Sequence, residues 1–197
     1  MNWRSCAVMA LLLVPCVSWA QEPEAPDKTP KQPSATNPSA LPLEPEGVGA
    51  TIENGVFVGD KAPGFELESS QGRPVRLADL KGRWAVMVFE KSRRRLGPLK
   101  EIDGDLRQLG ARLYGITRDG VATLSSYAER QQLRFLLLSD GTGQISQLYG
   151  MYDADAGAIR PGLLLLDSRG VVRVRRLGQS LQPGEVLQLV KQSLTGS

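Results

Sequence analysis

Lys81-Gly82-Arg83-Trp84-Ala85-Val86-Met87-Val88-Phe89 is the stretch from which the fold can be read. Lys-Gly-Arg is a turn signal, and the six residues after it are all apolar, as expected for a central strand covered on both faces. Downstream, Leu96, Leu99, Ile102, Leu106 and Leu109 recur at steps of three or four. That spacing predicts one helix with an apolar stripe, ending at Gly110 and weakened in its middle by Gly104.

The alternation then continues. Ala111 to Ile116 reads as a strand, Val121, Leu124, Tyr127 and Ala128 mark a helix, and Arg134 to Leu138 reads as a third strand. Gln144 to Tyr149 is a short helix, and Leu163 to Leu166 and Val171 to Leu177 flank the turn Asp167-Ser168-Arg169-Gly170. Val186, Leu187, Val190 and Leu194 define a last helix. Upstream, Phe65 to Leu67 and Pro74 to Leu77 are separated by Ser69-Ser70-Gln71-Gly72, which predicts a hairpin. Strands alternating with helices imply a mainly parallel sheet, with the last strand pair adding an antiparallel edge: a mixed α/β sandwich with helices on both faces.

The 197 residues divide by composition. Arg4 precedes an apolar run from Cys6 to Val17, and Ser18 and Ala20 stand at the −3 and −1 positions of a cleavage site, so residues 1–20 read as a secretory signal peptide. A lipoprotein signal ending at Cys16 is the rival, opposed by Pro15 where a small residue is wanted. The apolar run is shorter than the roughly 20 residues that span a bilayer, so no transmembrane segment is expected in the mature chain. Residues 21–49 form a linker with prolines at 23, 26, 30, 33, 38, 42 and 45 and no apolar periodicity. Residues 50–197 make the domain, and the expected location is periplasmic or extracellular, with lipid anchoring at Cys16 as the alternative.

Two absences restrict the chemistry. The chain has no histidine, which removes the usual general base and the commonest zinc ligand. Its two cysteines, Cys6 and Cys16, both fall in the leader, so a chain cut after Ala20 keeps no thiol. The domain carries 21 bases against 16 acids, a modest excess without a long basic tract beyond Lys91 to Arg95, and nucleic-acid binding is not expected.

Several strings carry a resemblance. Gly59-Asp60-Lys61-Ala62-Pro63 with Phe65 and Leu67 is similar to the opening of the peroxiredoxin family, also called the alkyl hydroperoxide reductase and thiol-specific antioxidant family, and Leu77-Ala78-Asp79-Leu80-Lys81-Gly82 is similar to its lead-in to the central strand. Tyr127-Ala128-Glu129-Arg130, Phe135-Leu136-Leu137-Leu138-Ser139-Asp140 and Leu148-Tyr149-Gly150 resemble its later crossover, so the likeness covers about residues 58 to 195. It implies a thioredoxin-like fold and a thiol peroxidase ancestry. In this family a peroxidatic cysteine sits at the first turn of the helix after the central strand, in the motif Pro-x-x-x-Thr/Ser-x-x-Cys, where amides and the helix dipole stabilise its thiolate. Laid without gaps from Phe89, the motif falls on Lys91, Arg95 and Pro98, so none of its defining residues is present. The family's active-site arginine falls at Pro161, with Arg160 one position early; in a thioredoxin register, Pro161 would instead be the cis-proline.

Without a thiolate the peroxide oxygen has no nucleophile to form a sulfenic acid, and disulfide exchange or copper and haem delivery of the thioredoxin-like kind is removed by the same logic. No catalytic residue, metal or cofactor is therefore expected, with Met87 and Met151 the remaining soft ligands. Arg93, Arg94, Arg95 and Arg160 would gather cations at the old site, where a small anion or an acidic protein could bind; the alternative is a solvated loop charge. The expectation is a non-catalytic binding module. Its rivals are a peroxidase using a thiol supplied in trans or by Cys16, and a structural envelope module. Arg173, Arg175 and Arg176 read as protection of an exposed strand edge, and Tyr114, Tyr127, Tyr149 and Tyr152 as core residues.

Overall fold

The structure, a computed structural model, describes residues 55–195. The expected signal peptide, the linker and both cysteines lie outside the described residues. Strands β1 (Glu66–Ser69) and β2 (Pro74–Arg76) form the expected hairpin, with Leu67 opposite Val75. Its turn closes at Gly72, whose φ of +69° is a conformation glycine adopts without penalty. A single helical turn that the sequence reading did not anticipate, α1 (Leu77–Leu80), begins where the Arg76 N–H donates to the Asp79 carboxylate at 2.8 Å.

Strand β3 spans Trp84–Phe89, the apolar run itself. The helix expected from Leu96 onward is divided: two 3₁₀ turns, Arg93–Arg95 and Gly97–Leu99, precede α2 (Lys100–Gln108). Pro98 has no N–H to give to a carbonyl one turn back, so the regular ladder starts only after it. Gly97 is needed as well, because a Cβ there would lie 2.6 Å from the Tyr127 hydroxyl. The stripe nevertheless faces inward as its spacing implies, with Leu96, Leu99, Ile102 and Leu106 buried.

The remaining elements are β4 (Ala111–Thr117), α3 (Val121–Gln131), β5 (Leu136–Ser139), α4 (Gln144–Leu148), the short ribbon β6 (Tyr152–Asp153) with β7 (Ala158–Ile159), then β8 (Gly162–Leu166), β9 (Val172–Leu177) and α5 (Pro183–Thr195). The seven-stranded sheet has the order β2-β1-β5-β4-β3-β8-β9. Only β3–β4 and β4–β5 are parallel pairs. The four other pairings are antiparallel, which corrects the expectation of a mainly parallel sheet. Two of the four are the hairpins β1–β2 and β8–β9, since a tight turn can join only antiparallel strands, and the other two, β1–β5 and β3–β8, attach these hairpins to the parallel centre.

Alternation along β3 builds two cores, one on each face. Ala85, Met87 and Phe89 join Phe65, Tyr149, Met151 and Leu164 on the face carrying α1 and α4. Val86 and Val88 join Leu106 of α2, Leu124 of α3, and Val186 and Val190 of α5 on the other. Each fully buried aliphatic side chain contributes about 1.5–3 kcal/mol, and this is what holds the helices to the sheet. Tyr114, Tyr127 and Tyr149 are core residues, and the Tyr149 hydroxyl donates to the Pro63 carbonyl at 2.6 Å. Strand β9 forms the sheet edge, consistent with its charged composition. Among the described residues no helix is long and apolar enough to cross a membrane.

Candidate functional site

Because β3, β4 and β5 are parallel, their carboxyl ends lie at one end of the sheet. Strand β8 runs opposite to β3, pairing Gly162 with Phe89, so its beginning lies at that same end. The fold thus brings together four segments far apart in sequence: Glu90 to Arg95 after β3, Thr117 to Asp119 after β4, Ser139-Asp140 after β5, and Arg160-Pro161 before β8. In open α/β sheets this end is where ligands bind.

The basic loop is ordered from within. The Ser92 hydroxyl accepts from the Arg94 N–H at 3.4 Å, capping the first 3₁₀ turn. Arg93 is half-buried, and its guanidinium donates to the Asp119 carboxylate at 2.7 Å. Asp119 is itself held by Thr117, whose hydroxyl donates to the carboxylate at 3.3 Å and accepts from the Asp119 N–H at 3.1 Å. The guanidinium also lies 5.9 Å from the centre of the Tyr127 ring, a cation–π distance, while the Tyr127 hydroxyl donates to the Arg94 carbonyl at 3.5 Å. Arg93 Nε is buried without a hydrogen-bond acceptor. Arg93 is therefore paired within the fold, and Lys91, Arg94 and Arg95 are the exposed cations of this loop.

Lys91 and Pro98, both exposed, occupy the positions that the resemblance assigns to the family's proline and cysteine, with Arg95 between them. Pro98 lies in the second 3₁₀ turn. A proline brings no N–H, so residue 98 offers no backbone donor to an anion. Arg160 is exposed and pairs with Asp153 at 3.4 Å, on the β6–β7 ribbon. Pro161 has a trans bond, since no cis peptide occurs among the described residues, so it does not take the cis-proline role of a thioredoxin register. Its carbonyl accepts from the Gly178 N–H at 2.8 Å.

Glu90 was missed in the sequence reading. It is buried at the end of β3, its N–H donates to the Ile116 carbonyl at 3.0 Å, and its carboxylate accepts from the Ser180 hydroxyl at 3.0 Å. Burial pushes its carboxyl above the usual glutamate range, against the opposing pull of Ser180 and Arg95. A single acid directly following six apolar strand residues was the available signal. Asp119 and Ser180 left none, because their partners are 26 and 90 residues away in sequence. Met87 and Met151 are fully buried core side chains.

Known proteins share this fold. The profile of the AhpC/TSA family matches residues 58–175, and the chain belongs to that family. It is 25% identical over 163 residues to the selenocysteine-containing peroxiredoxin PrxU of Peptoclostridium acidaminophilum, covering 70% of this chain and 80% of that one. It is 30% identical over 129 residues to the putative peroxiredoxin bcp of Coxiella burnetii, covering 59% of this chain and 85% of the relative. Among solved structures, Enterococcus faecalis AhpC superposes with a TM-score of 0.65 at 18% identity, covering 70% of this chain and 92% of that one. Peroxidoxin BcpB from Mycobacterium tuberculosis gives 0.63 at 19% identity, covering 71% and 96%. The fold is thioredoxin-like.

Proposed function

We propose that this chain is a peroxiredoxin-family domain that acts by binding, without a peroxidatic thiol of its own, and that its ligand is a small anion or an acidic protein segment. One observation carries the reading: no cysteine occurs between residues 17 and 197, and the position matching the family's cysteine is Pro98. Peroxide reduction of the family's kind needs a sulfur nucleophile that becomes a sulfenic acid, and a proline ring supplies neither nucleophile nor amide. What the site offers instead is charge: Arg94 and Arg95 exposed on a loop that Arg93, Asp119 and Ser92 hold in place. Guanidinium groups take carboxylate and phosphate oxygens in pairs, which suits an anionic ligand.

A second reading is favoured by the relatives, several of which bear peroxiredoxin names. It is thiol-dependent peroxide reduction, with the thiol supplied by Cys16 or by a partner. Both readings take the domain to be exported, with a leader cut after Ala20 in the first and, where Cys16 supplies the thiol, a lipoprotein leader that retains Cys16 in the second. Hydrogen peroxide consumption by the full chain with a dithiol reductant, compared with a Cys6→Ser/Cys16→Ser variant, separates them. We expect neither protein to exceed the no-protein rate. Turnover lost in the double variant would establish the leader cysteines as the thiol source, and turnover kept in it would overturn the binding reading. Intact mass of the secreted product tests the processing.

A further inference from the structure

The opposite end of the sheet, where β3 and β4 begin, carries a second cluster of cations. Ala85 pairs with Arg112 across the parallel β3–β4 ladder, and Arg83 lies two residues before Ala85. With a side-chain period of two, Arg83, Arg112 and Tyr114 belong to the same face. Together with Lys81, Asp79 and Trp84 they line a cavity of about 340 Å³. A second cavity, also of about 340 Å³, is formed by Gly82, Arg107 and Gly110 and shares Arg83 and Arg112 with the first. Both arginines therefore stand between two hollows.

The charges here are unequally matched. Arg107 is paired with Asp103 at 2.9 Å and donates to the Arg134 carbonyl at 2.5 Å. The Asp79 carboxylate accepts from the Arg76 N–H at 2.8 Å. Neither Arg83 nor Arg112 makes an ion pair or side-chain hydrogen bond with any described residue. Their positive field falls on the Tyr114 hydroxyl: burial pushes that phenol up, and Arg112 and Arg83 act against it. Arg83, in the turn before β3, and Arg112, on β4, have two acids nearby: Asp79 lines the first hollow with both of them, and Asp103, beside Arg112, is already paired with Arg107.

We propose that this end of the sheet is an anion site, in which Arg83 and Arg112 bind a small phosphate- or sulfate-class oxyanion with the Tyr114 hydroxyl as a further donor. Guanidinium groups present paired N–H donors to such oxygens, and a phenol donates a single short bond. The site is separate from the Arg94-Arg95 loop, because it lies at the other ends of the same strands.

The test is a titration of the full chain with inorganic pyrophosphate at low ionic strength, followed by amide chemical shifts and calorimetry. Saturable shifts are expected at Gly82, Arg112 and Tyr114. In Arg83→Gln/Arg112→Gln the apparent affinity should fall by about tenfold or more, and in Arg94→Gln/Arg95→Gln these shifts should be unchanged. Circular dichroism and thermal melting verify that the variants fold, with Arg83→Gln alone as the milder substitution. Absence of saturation in the wild type, unaltered affinity in the folded Arg83 variants, or loss confined to the Arg94-Arg95 variant would each overturn the proposal.

Discussion

Arg93 shows how a residue drawn from a basic run can become structural. Its guanidinium holds Asp119, which Thr117 positions, and it lies over Tyr127, so removing it breaks contacts among three elements. Both members of the ion pair are about a quarter exposed, at 30% and 24%, so the coupling exceeds that of a surface pair. A double-mutant cycle with Arg93→Ala and Asp119→Ala in urea should give a coupling of about 1–2 kcal/mol. Two carboxylates make opposite pH predictions. The Glu90 carboxyl is raised by burial, so its contribution to stability declines as pH climbs from the ordinary glutamate range through its folded value. Glu90→Gln, which can keep a hydrogen bond to Ser180, should flatten that decline in a series of melts across pH. For Asp167, burial alone would raise the carboxyl, but the Val171 N–H, the Arg173 guanidinium and the Arg169 N–H outweigh it and hold it below the usual range. That stabilisation is present above the ordinary aspartate value and is lost as pH falls through the folded one. Asp167→Asn should therefore remove an acid limb of the stability profile and cost about 1–3 kcal/mol at neutral pH by urea titration.

The entry to α2 is the element where local chemistry and family geometry meet. Two 3₁₀ turns lead into α2: the first carries the exposed Arg94 and Arg95, and the second carries Gly97 and Pro98, while Leu96 and Leu99 stay buried. Gly97→Ala should destabilise the domain by about 1–3 kcal/mol, because the new methyl would press on the Tyr127 hydroxyl; chemical denaturation reads the loss directly. This turn also marks a limit of what the sequence revealed. Leu96 to Leu109 predicted the buried stripe correctly, since spacing reports which face is covered, but it could not report that the first turn is 3₁₀. The strands were legible because their apolar runs are continuous, Trp84 to Phe89 above all. The β6–β7 ribbon was not, because Tyr152-Asp153 and Ala158-Ile159 are too short to show a period. Within the candidate site, the basic loop and Arg160 were visible as residue types. Their counter-ions Asp119 and Asp153 were not, because the pairings exist only once the strands have been ordered.

At the scale of the whole molecule, the described domain rests on its two sheet faces and has no covalent cross-link, since residues 17–197 contain no cysteine. Its melting temperature should be the same with and without a thiol reductant, which differential scanning calorimetry can verify. A shift would indicate that Cys6 and Cys16 remain in the protein and contribute. The strand order has a further consequence for synthesis. β1 and β2 are made first, but β1 takes its other place in the sheet only against β5, where Glu68 meets Ser139 and Ser69 meets Leu138. β3 and β4, by contrast, pair across one crossover, residues 90–110, with no other strand between them in sequence. On a chain emerging from the ribosome, the parallel centre can nucleate early, whereas the amino-terminal hairpin waits with one backbone edge unsatisfied until residues 136–139 appear. A nascent chain stalled before β5 is thus the form in which this protein is open to mispairing with a neighbour.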